Sequence, residues 1–501
     1  MFHYNQILGR SSVNAPQTLD EAKRMYGLTE EQVNKALAID GTVGDSVTAA
    51  IGESLDPVVR YITLNAGAFC PTLRRLKTYK AKSYLEQFTL VSSLGKSRYG
   101  GSAHKEGDLG TSDSSRYERV TENQRWFGQV GVVTRTAQRA SESKFGDLKK
   151  REAFDRLTKL LLDGEQSIWF GNTNLNPYMF RGLIQQIEAI SNNQNIVNKA
   201  ATSVAGARQT YTGGGTLTSA ETRTYMPASL TTGGIHSALY LHPNEKVSMS
   251  NTESANIRWN DVKAGESRVE WGITLDQIDN PLGRPTDIVW NVFFQNEGRV
   301  KEYVESDPTD TTLFHPEAPQ RPTVAPVPAA AAGGKLPPSL TFYYAYAYIN
   351  EKAEGPVLCG TSSAATDNTN GTINVTVTHP SDVAKNHAIA LYRSTTAPSD
   401  GDDFAKMRLV KTYAVASGAV PGGTQVLADD GSKIPGSRIA VLADESALSL
   451  PELLEPSFRD LADVDNTHRF TLDWEFSPLA HDKCLREVYW HNIGGSVSDP
   501  S

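Results

Sequence analysis

The residues of this chain that could do chemistry are few and widely spaced. His236 and His242 flank one strand-like segment, six residues apart, so a regular strand would present both imidazoles on one side. A paired metal-ligand site is one interpretation, and two ordinary sheet histidines are the simpler one. Cys70, Cys359 and Cys484 stand alone, and an odd number without a close pair fits neither a disulfide framework nor a zinc site. We expect three buried thiols that pack as small hydrophobic side chains.

The sequence motifs of the common enzyme classes are missing. The chain has no His-Glu-x-x-His, Gly-x-Ser-x-Gly or Cys-x-x-Cys, and its ten histidines are scattered. Gly213-Gly214-Gly215 lacks the lysine and the spacing of a phosphate-binding loop. The sequence therefore predicts no catalytic residues, no cofactor and no metal, and it disfavours a hidden hydrolase.

Charge is the remaining chemistry, and it is unevenly distributed. The net charge is −8, yet Thr72–Arg151 holds 17 Lys and Arg against 8 Asp and Glu, so the remainder carries −17. A basic segment can indicate nucleic-acid binding. Here the opposite charge lies on the same chain, so docking of this segment onto acidic surfaces of neighbouring copies explains both halves.

Length and composition predict a globular chain of two to four domains. With 501 residues, 39% of them hydrophobic, it can build real cores. No window approaches 18 consecutive apolar residues, and the N-terminus lacks a basic region followed by an apolar run. We therefore expect neither a membrane span nor a secretory signal, and a chain made and kept in the cytoplasm until assembly.

The strongest structural signal lies between Phe145 and Ile187. Apolar residues recur there at spacings of three and four, as on one face of an α-helix: Phe145, Leu148, Phe154, Leu157, Leu161 and Ile168. A helix from about Phe145 to Phe170 would be roughly 35–40 Å long at about 1.5 Å per residue, which is long enough to form a spine. Glycine, asparagine and proline then predict a turn, and Leu183–Ile187 looks helical again.

Before this spine, two alternating runs predict a long β-hairpin. Tyr84, Phe88 and Leu90 mark one leg, and Trp126, Val130 and Val132 mark a return leg that reaches about Arg135. Between the legs, Ser92–Ser115 is rich in Gly, Ser, Lys and Asp and predicts a flexible tip. Since an isolated two-stranded ribbon is marginal in water, we expect another subunit to order it. A disordered linker between two domains is the alternative.

Weaker signals complete the first two-thirds of the chain. Capping boxes headed by Thr18 and Thr29 predict two short helices on an N-terminal arm. Asn192–Thr224 is polar and rich in Gly, Thr and Ser, which indicates an exposed loop. Ile235–Leu241 and Asp287–Phe294 predict two strands of one sheet.

Composition shifts at about Pro316, where prolines and an alanine-glycine run predict a linker to Pro338. Beyond it, short alternating runs separated by turn residues indicate a β-sandwich within Pro322–Ala440. The run Tyr344–Gly355 and the later Leu391-Tyr392-Arg393 resemble strands of a fibronectin type III or related immunoglobulin-like domain. Most tyrosine rings of the first run should face the sandwich core.

The C-terminal part predicts a closing hairpin. Phe470, Leu472, Trp474 and Phe476 alternate, Ser477-Pro478 turns, and Leu485, Val488 and Trp490 return. Two such apolar strands need a sheet, and the sheet begun by Ile235–Leu241 is the natural partner. The sandwich would then be an insertion into a discontinuous domain.

The order of arm, long basic hairpin, spine helix, mixed domain and closing hairpin resembles the major capsid proteins of tailed bacteriophages. The most specific piece is Phe180-Arg181-Gly182-Leu183 after the spine. The resemblance implies an α+β fold of the Hong-Kong-ninety-seven type, with an inserted all-β immunoglobulin-like sandwich. The implied parts are an N-terminal arm at 1–76, an extended loop at 77–140, the spine helix with peripheral and axial domains at 141–321, the insertion at 322–440 and a return to the capsid core at 441–501.

The resemblance implies a structural protein that self-assembles into pentamers and hexamers of an icosahedral head around DNA. Expected partners are further copies of the chain and scaffolding, portal, decoration or head-fibre proteins, without sequence-specific DNA binding or a membrane. The expected location is the virion, assembled in the bacterial cytoplasm. The expected interface joins loop cations to acidic groups of a neighbour: Lys96, Arg98, Lys105, Arg116 and Arg119 with Asp460, Asp463 and Asp465.

A second function class stays open at the level of the sequence. A tail, baseplate or adhesin protein could also carry a β-sandwich, which would bind carbohydrate on a host surface. The basic hairpin and the long spine favour the capsid interpretation, because an adhesin does not need that order of elements.

Overall fold

The computed structural model describes residues 69–93, 105–107, 114–142, 147–190, 195–206, 208–227, 234–253, 275–280, 284–299, 315–404, 406–463 and 466–497. These residues form two compact units. The first contains the chain up to Arg74, Trp126–Glu165 and Leu453–Phe476, and the second contains Arg75–Arg125, Gln166–Glu452 and the chain from Ser477. The predicted arm helices lie outside the described residues. No helix among these residues is long and apolar enough to span a membrane.

The helices and strands are numbered in chain order. The helices are α1 Pro71–Arg75, α2 Arg135–Glu142, α3 Leu148–Phe170, α4 Leu183–Glu188, α5 Ser219–Tyr225 and α6 Pro243–Glu253. The strands as far as the insertion are β1 Lys77–Lys80, β2 Leu85–Ser93, β3 Arg116–Asn123, β4 Arg125–Thr134, β5 Ile196–Asn198, β6 Ala200–Ala205, β7 Arg208–Gly214, β8 Ala238–Leu241, β9 Gln277–Ile278 and β10 Thr286–Trp290. The remaining strands are β11 Val327–Ala331, β12 Thr341–Ile349, β13 Leu358–Ala365, β14 Thr372–Thr378, β15 Ala388–Ser394, β16 Arg408–Ala414, β17 Thr424–Asp429, β18 Arg438–Ala443, β19 Leu448–Asp460, β20 Thr467–Phe476, β21 Leu479–Ala480 and β22 Val488–Ile493.

The spine helix predicted from the apolar period is confirmed as α3. Its inward positions, among them Leu157, Leu160 and Leu161, are buried. In the first unit, α3 packs against a sheet in which β20 lies between β19 and β4. Gly164 lies so close to Trp474 that an added Cβ would fall 2.3 Å from the indole ring. The helix can approach the sheet this closely because that position has no side chain.

The predicted hairpin has a different return leg. β2 pairs with β3, in register from Leu85 opposite Asn123 to Ser93 opposite Arg116. The predicted leg that contains Trp126 is β4, which lies beside β20 instead. Alternation identifies a strand and its two faces but not its partner, and the polar β3 carries too few apolar residues to be conspicuous.

The second unit is built around a six-stranded sheet in the order β5-β22-β18-β8-β10-β9. β8 and β10 run parallel, which confirms that the segments 235–241 and 287–294 share one sheet. β18 joins them to β22 through antiparallel pairs. Leu239, Leu241, Leu442 and Trp490 are buried in its core.

The predicted closing hairpin is wrong as a pair. Only β22 joins this sheet, whereas β20 pairs within the sheet of the first unit. The exposed loop predicted at Asn192–Thr224 is also wrong, since β5, β6, β7 and α5 lie there. β6 and β7 form a hairpin whose strands are rich in Thr, Ser and Gly, so the backbone pairing has no strong side-chain signature.

Two antiparallel sheets lie between β11 and β17: a three-stranded sheet β11-β14-β17 and a four-stranded sheet β13-β12-β15-β16. Their buried side chains form one core, in which Tyr344, Tyr346 and Tyr348 join Val375 and Leu427. The predicted inward position of those tyrosine rings is confirmed. Part of the predicted proline linker is instead the edge strand β11, paired with β14, where Pro328 tolerates its missing N–H.

This core also holds a buried ion pair that the sequence pattern did not reveal. The Arg393 guanidinium donates to the Asp429 carboxylate at 2.6 Å, and the Tyr344 hydroxyl donates to the same oxygen at 2.9 Å. Such a charge is tolerated in a core because it is paired and hydrogen-bonded. Cys70, Cys359 and Cys484 are buried free thiols, as predicted.

Candidate assembly interface

The ribbon, defined here as β2 and β3, has little core of its own. Most of its side chains are exposed or half-buried, and Tyr117 is 66% exposed. An isolated two-stranded ribbon is marginal in water, so contacts at its base must hold it.

Among the described residues, several contacts hold the base of the ribbon within the second unit. Lys483 forms an ion pair with Glu118, and Arg181 forms one with Glu122. The Gln124 amide, fully buried, donates to the Ser477 hydroxyl at 3.0 Å. The ring of Phe88 meets the imidazole of His481 edge-on at 5.1 Å. The strands of the ribbon are thereby tied to the turns around 181 and 477–484.

The Phe-Arg-Gly-Leu segment after the spine supplies one of these anchors. Phe180 is buried, while the Arg181 side chain reaches Glu122. Gly182 donates its backbone N–H to the carbonyl of Gly171 at 2.8 Å. A Cβ on Gly182 would lie 2.5 Å from the backbone nitrogen of Gly171, so two chain segments meet here at the minimum distance. This close approach fixes the direction in which Arg181 leaves the backbone.

The predicted loop cations are only partly described. Arg116 and Arg119 lie exposed on β3, and Lys105 is exposed. Lys96 and Arg98 lie outside the described residues, as does the acidic residue Asp465 at the other end of the predicted interface.

The other two predicted acidic residues pair within their own unit. Asp460 forms an ion pair with Lys149 at 2.6 Å. Asp463 forms an ion pair with Arg135 at 2.9 Å, and His468 lies 3.1 Å from the same carboxylate. The hydrogen bond from Arg135 is the main reason that the pKa of Asp463 is lowered. This acidic surface is therefore partly neutralised before any second copy arrives.

Large apolar side chains also lie exposed on β4, on one face of that strand. Trp126, Val130 and Val132 are 62%, 55% and 50% exposed, while the alternate residues Gly131 and Val133 are buried. The period-two pattern was visible in the sequence, but it could not show which face is covered. An exposed apolar stripe of this kind is typical of an interaction surface.

A cavity of about 320 Å³ lies in the second unit, between the end of α3, the following turn and β22. Its lining is rich in carboxamides, but these groups already serve the surrounding loops. Gln166 donates to the carbonyl of Gly298, Asn296 donates to that of Leu409, and Asn350 donates to that of Glu317. The cavity therefore has the chemistry of a seam between loops rather than of a catalytic pocket.

The histidines singled out by the sequence do not form a metal site among the described residues, where no cluster of three potential ligands occurs. His236 is fully buried, and its Nε2 lies 2.6 Å from the carbonyl oxygen of Arg486. Burial lowers the pKa of His236, and it lowers the pKa of His242 to about 4. Both imidazoles are therefore neutral near pH 7.

The sequence model of the SU10 major capsid protein matches residues 17–316, which is more than half of the chain. The chain belongs to the SU10 major capsid protein family. Its members are structural proteins, so the predictions of a phage-head protein without enzymatic activity are confirmed. This capsid protein forms multimers of the icosahedral phage head and is located in the virion capsid.

Several solved capsid structures are similar to this capsid protein at low sequence identity. The structure from Mycobacterium phage Bobi shares 9% identity at a TM-score of 0.38, covering 90% of this chain and 93% of that one. The capsid of the native GTA particle shares 9% identity at a TM-score of 0.41, covering 92% of this chain and 100% of that one. The structure of the Phage G major capsid and decoration proteins shares 6% identity at a TM-score of 0.37, covering 92% of this chain and 100% of the matched chain. At such scores the assignment rests on the family match; no curated protein matches the chain.

Proposed function

We propose that the capsid protein assembles as pentamers and hexamers around double-stranded DNA, and that its ribbon reaches across a neighbouring subunit. The ribbon carries this proposal: its two strands hold exposed apolar side chains, and among the described residues the contacts reported above tie it to the second unit. A neighbouring copy would supply the burial that the ribbon lacks.

The charged contacts of this interface would be numerous and individually weak. The exposed Arg116 and Arg119, together with the tip cations, would meet acidic groups near residues 460–465 of a neighbour. Because Asp460 and Asp463 are already paired within their own chain, each new ion pair would contribute only about 0–1 kcal/mol. Most of the stability of the shell would come from buried apolar area, to which Trp126 and its neighbours on β4 would contribute.

For residues 322–440 we propose an inserted immunoglobulin-like domain displayed on the outside of the head. The family match ends at residue 316, just before this segment. The segment has no net charge, and its two sheets share one core. A neutral surface suits a solvent-facing module better than a contact between oppositely charged subunits. The Phage G structure contains decoration proteins, and we extend that kind of partner to this chain, with scaffolding and portal proteins.

Charge reversal on the ribbon tests the proposed interface. Recombinant full-length chain should form closed shells, or rings of five and six copies, in negative-stain electron microscopy and size-exclusion chromatography. Arg116→Glu combined with Arg119→Glu should reduce shell formation, because it places negative charge against an acidic surface. Lys385→Glu combined with Lys406→Glu changes the net charge equally at exposed positions of the insertion and should leave assembly intact.

Two results would contradict this proposal. Shell formation by the ribbon double variant that equals that of the insertion double variant and of wild type would show that the ribbon cations are not part of the interface. A wild-type chain that stays monomeric, even with crowding agents or a candidate scaffold, would contradict the pentamers and hexamers themselves.

A further inference from the structure

A group of buried charges lies directly behind the base of the ribbon. It is centred on residues 481–487, here called the base turn, which connects β21 to β22. Asp444, Asp482 and Glu487 are 2%, 6% and 1% exposed, and Glu122 of the ribbon is 6% exposed. The cations that face these four carboxyl groups are Arg486 and Arg181, both only partly buried.

Three of the four carboxyl groups have partners. Arg486 donates to Asp444 at 2.9 Å, and Asp482 accepts the backbone N–H groups of Cys484 and Arg486 at 3.0 Å each. Glu122 is held by Arg181. In Glu487, by contrast, neither carboxyl oxygen makes a hydrogen bond to another residue among those described.

An ionised carboxylate that is buried without a partner costs several kcal/mol or more, whereas its protonated form costs much less. Glu487 is thus the member of the group that keeps a proton in the folded protein. Burial first, and then the charges of Asp482 and Asp444, raise the pKa of Glu487 well above its ordinary value.

The base turn is also the part of the fold that holds the ribbon. Lys483 pairs with Glu118, and His481 contacts Phe88. Lys483 and Cys484 have φ angles of 59° and 56°, so two consecutive residues other than glycine adopt the left-handed region. Such a conformation costs about 1–3 kcal/mol per residue and persists only while its surroundings hold it.

We propose that Glu487 is a proton-controlled latch: its neutral form keeps the base turn closed on the ribbon, and its ionisation opens the turn and frees the ribbon. A carboxyl group whose pKa is higher in the closed turn than in the open turn binds its proton more tightly when the turn is closed. Raising the pH through the interval between the two pKa values therefore favours the open turn, by up to about tenfold per pH unit for one proton.

The other titratable groups around the base turn do not produce this response. Burial lowers the pKa values of His236 and His481, so both are neutral above their ordinary value of 6.5. Burial raises the pKa of the Cys484 thiol well above 9.0, so it is neutral throughout. Burial also raises the pKa of Asp482, but its carboxylate accepts two backbone hydrogen bonds, so its ionisation leaves no unpartnered charge in the turn. Glu487 is the carboxyl group of this cluster whose two oxygens have no hydrogen-bond partner among the described residues, so we assign the change of charge to it.

The test is amide hydrogen exchange of the unassembled full-length chain, isolated by size-exclusion chromatography. Peptides from residues 85–93, 116–123 and 481–487 are followed by mass spectrometry at about pH 5 and about pH 9. After correction for the intrinsic chemical rate, the wild-type ribbon should exchange faster at the higher pH. Glu487→Gln, which keeps the shape but removes the charge, should give a corrected rate independent of pH. Glu455→Gln, at an exposed glutamate of β19, should behave as wild type.

A wild-type ribbon whose corrected exchange is the same at both pH values would overturn the latch, whatever the variants do. A Glu487→Gln chain that retains the full pH response would overturn the assignment to Glu487. If circular dichroism shows that Glu487→Gln does not fold, Glu487→Met is substituted and judged by the same criterion. The inference rests on the proposed function only for its consequence in assembly. Hydrogen exchange tests the latch and electron microscopy tests assembly, so failure of the latch and failure of the proposed function give different results.

Discussion

At the residue scale, several glycines of this capsid protein are required by close contact rather than by a turn. Gly164 of α3 lies against the indole of Trp474. Gly131 of β4 lies against the ring of Phe470, where an added Cβ would fall 2.0 Å from the nearest ring carbon. Gly182 meets the backbone at Gly171 in the same way. In sequence terms a glycine inside a helix is a weak point, because alanine is favoured there by about 1 kcal/mol. The packing reverses that preference.

The substitution Gly164→Ala tests this reversal. The gain in helix propensity is about 1 kcal/mol, whereas overpacking a rigid, buried ring costs about 1–3 kcal/mol or more. We therefore expect a lower thermal unfolding midpoint, measured by calorimetry. Trp474→Phe added to Gly164→Ala should relieve part of the loss, because the smaller ring leaves room for the methyl group. Strictly additive effects of the two substitutions would argue against the contact.

Asp163, on the same helix, predicts a pH dependence of stability. Burial raises its pKa to about 6, although Lys159 acts in the opposite direction. A carboxyl group whose pKa is raised on folding stabilises the fold in its protonated form, so this contribution is complete below its unfolded pKa of about 4 and is lost as the pH rises to about 6.

The prediction concerns Asp163→Asn, which should be more stable than wild type at pH 7 and equally stable at pH 4. Urea unfolding of both proteins across this interval measures the difference and cancels the titration of the other carboxyl groups. Asp155→Asn serves as the control on the same helix. A constant difference between Asp163→Asn and wild type at all pH values would refute the assigned pKa.

At the element scale, the ribbon shows how a weak element is held in place. Its own strands bury little, and its charged residues are used in two ways. Glu118 and Glu122 face the body of the second unit and are paired, whereas Arg116 and Arg119 are exposed. Alternation along β3 places Arg119 on the face opposite to the two anchored glutamates, where it is available to other copies, whereas Arg116 follows them on their own face at the exposed end of the strand.

Removal of the Arg181 anchor should loosen the ribbon. Arg181→Met leaves the buried Glu122 without its partner, at a cost of about 1–3 kcal/mol. The lower end applies because the side chain of Arg181 is 41% exposed. Limited tryptic digestion should cleave the ribbon faster in Arg181→Met, and Glu122→Gln added to it should slow the cleavage again. The exposed Arg139→Met is the control, and ribbon cleavage as fast as in Arg181→Met would make the effect non-specific.

At the scale of the whole molecule, the described surface is that of a subunit. Apolar side chains lie exposed on the ribbon and on β4, and the buried carboxyl group of Glu487 lies in the base turn that anchors the ribbon. An exposed apolar surface of this kind is typical of a subunit that buries it against other chains.

Assembly should therefore bury Trp126. This residue is 62% exposed in the subunit, whereas Trp169, Trp474 and Trp490 are fully buried. Acrylamide quenching of wild type and Trp126→Phe, taken as a difference, isolates the signal of Trp126 among the seven tryptophans. The difference signal should be quenched readily in unassembled chain and poorly in shells. Equal quenching in both forms would exclude this face of β4 from the interface.

The sequence by itself determined the features that depend on local period and composition. The spine helix followed from the spacing of Leu157, Leu161 and their neighbours, the buried thiols followed from their isolation, and the inward tyrosines of β12 followed from alternation. The family could also be predicted from the sequence, because the order of elements and the Phe180–Leu183 turn can be recognised there.

Only the tertiary structure decided which strands pair and which charges are buried. β2 pairs with β3 and not with the predicted β4, and β20 and β22 lie in different sheets. A period of two identifies the two faces of a strand but does not specify the strand with which it pairs. Glu487 looks like any other glutamate in the sequence. Its lack of a hydrogen-bond partner among the described residues, and with it the proposed latch, follows from its enclosure by segments that are far apart in the chain.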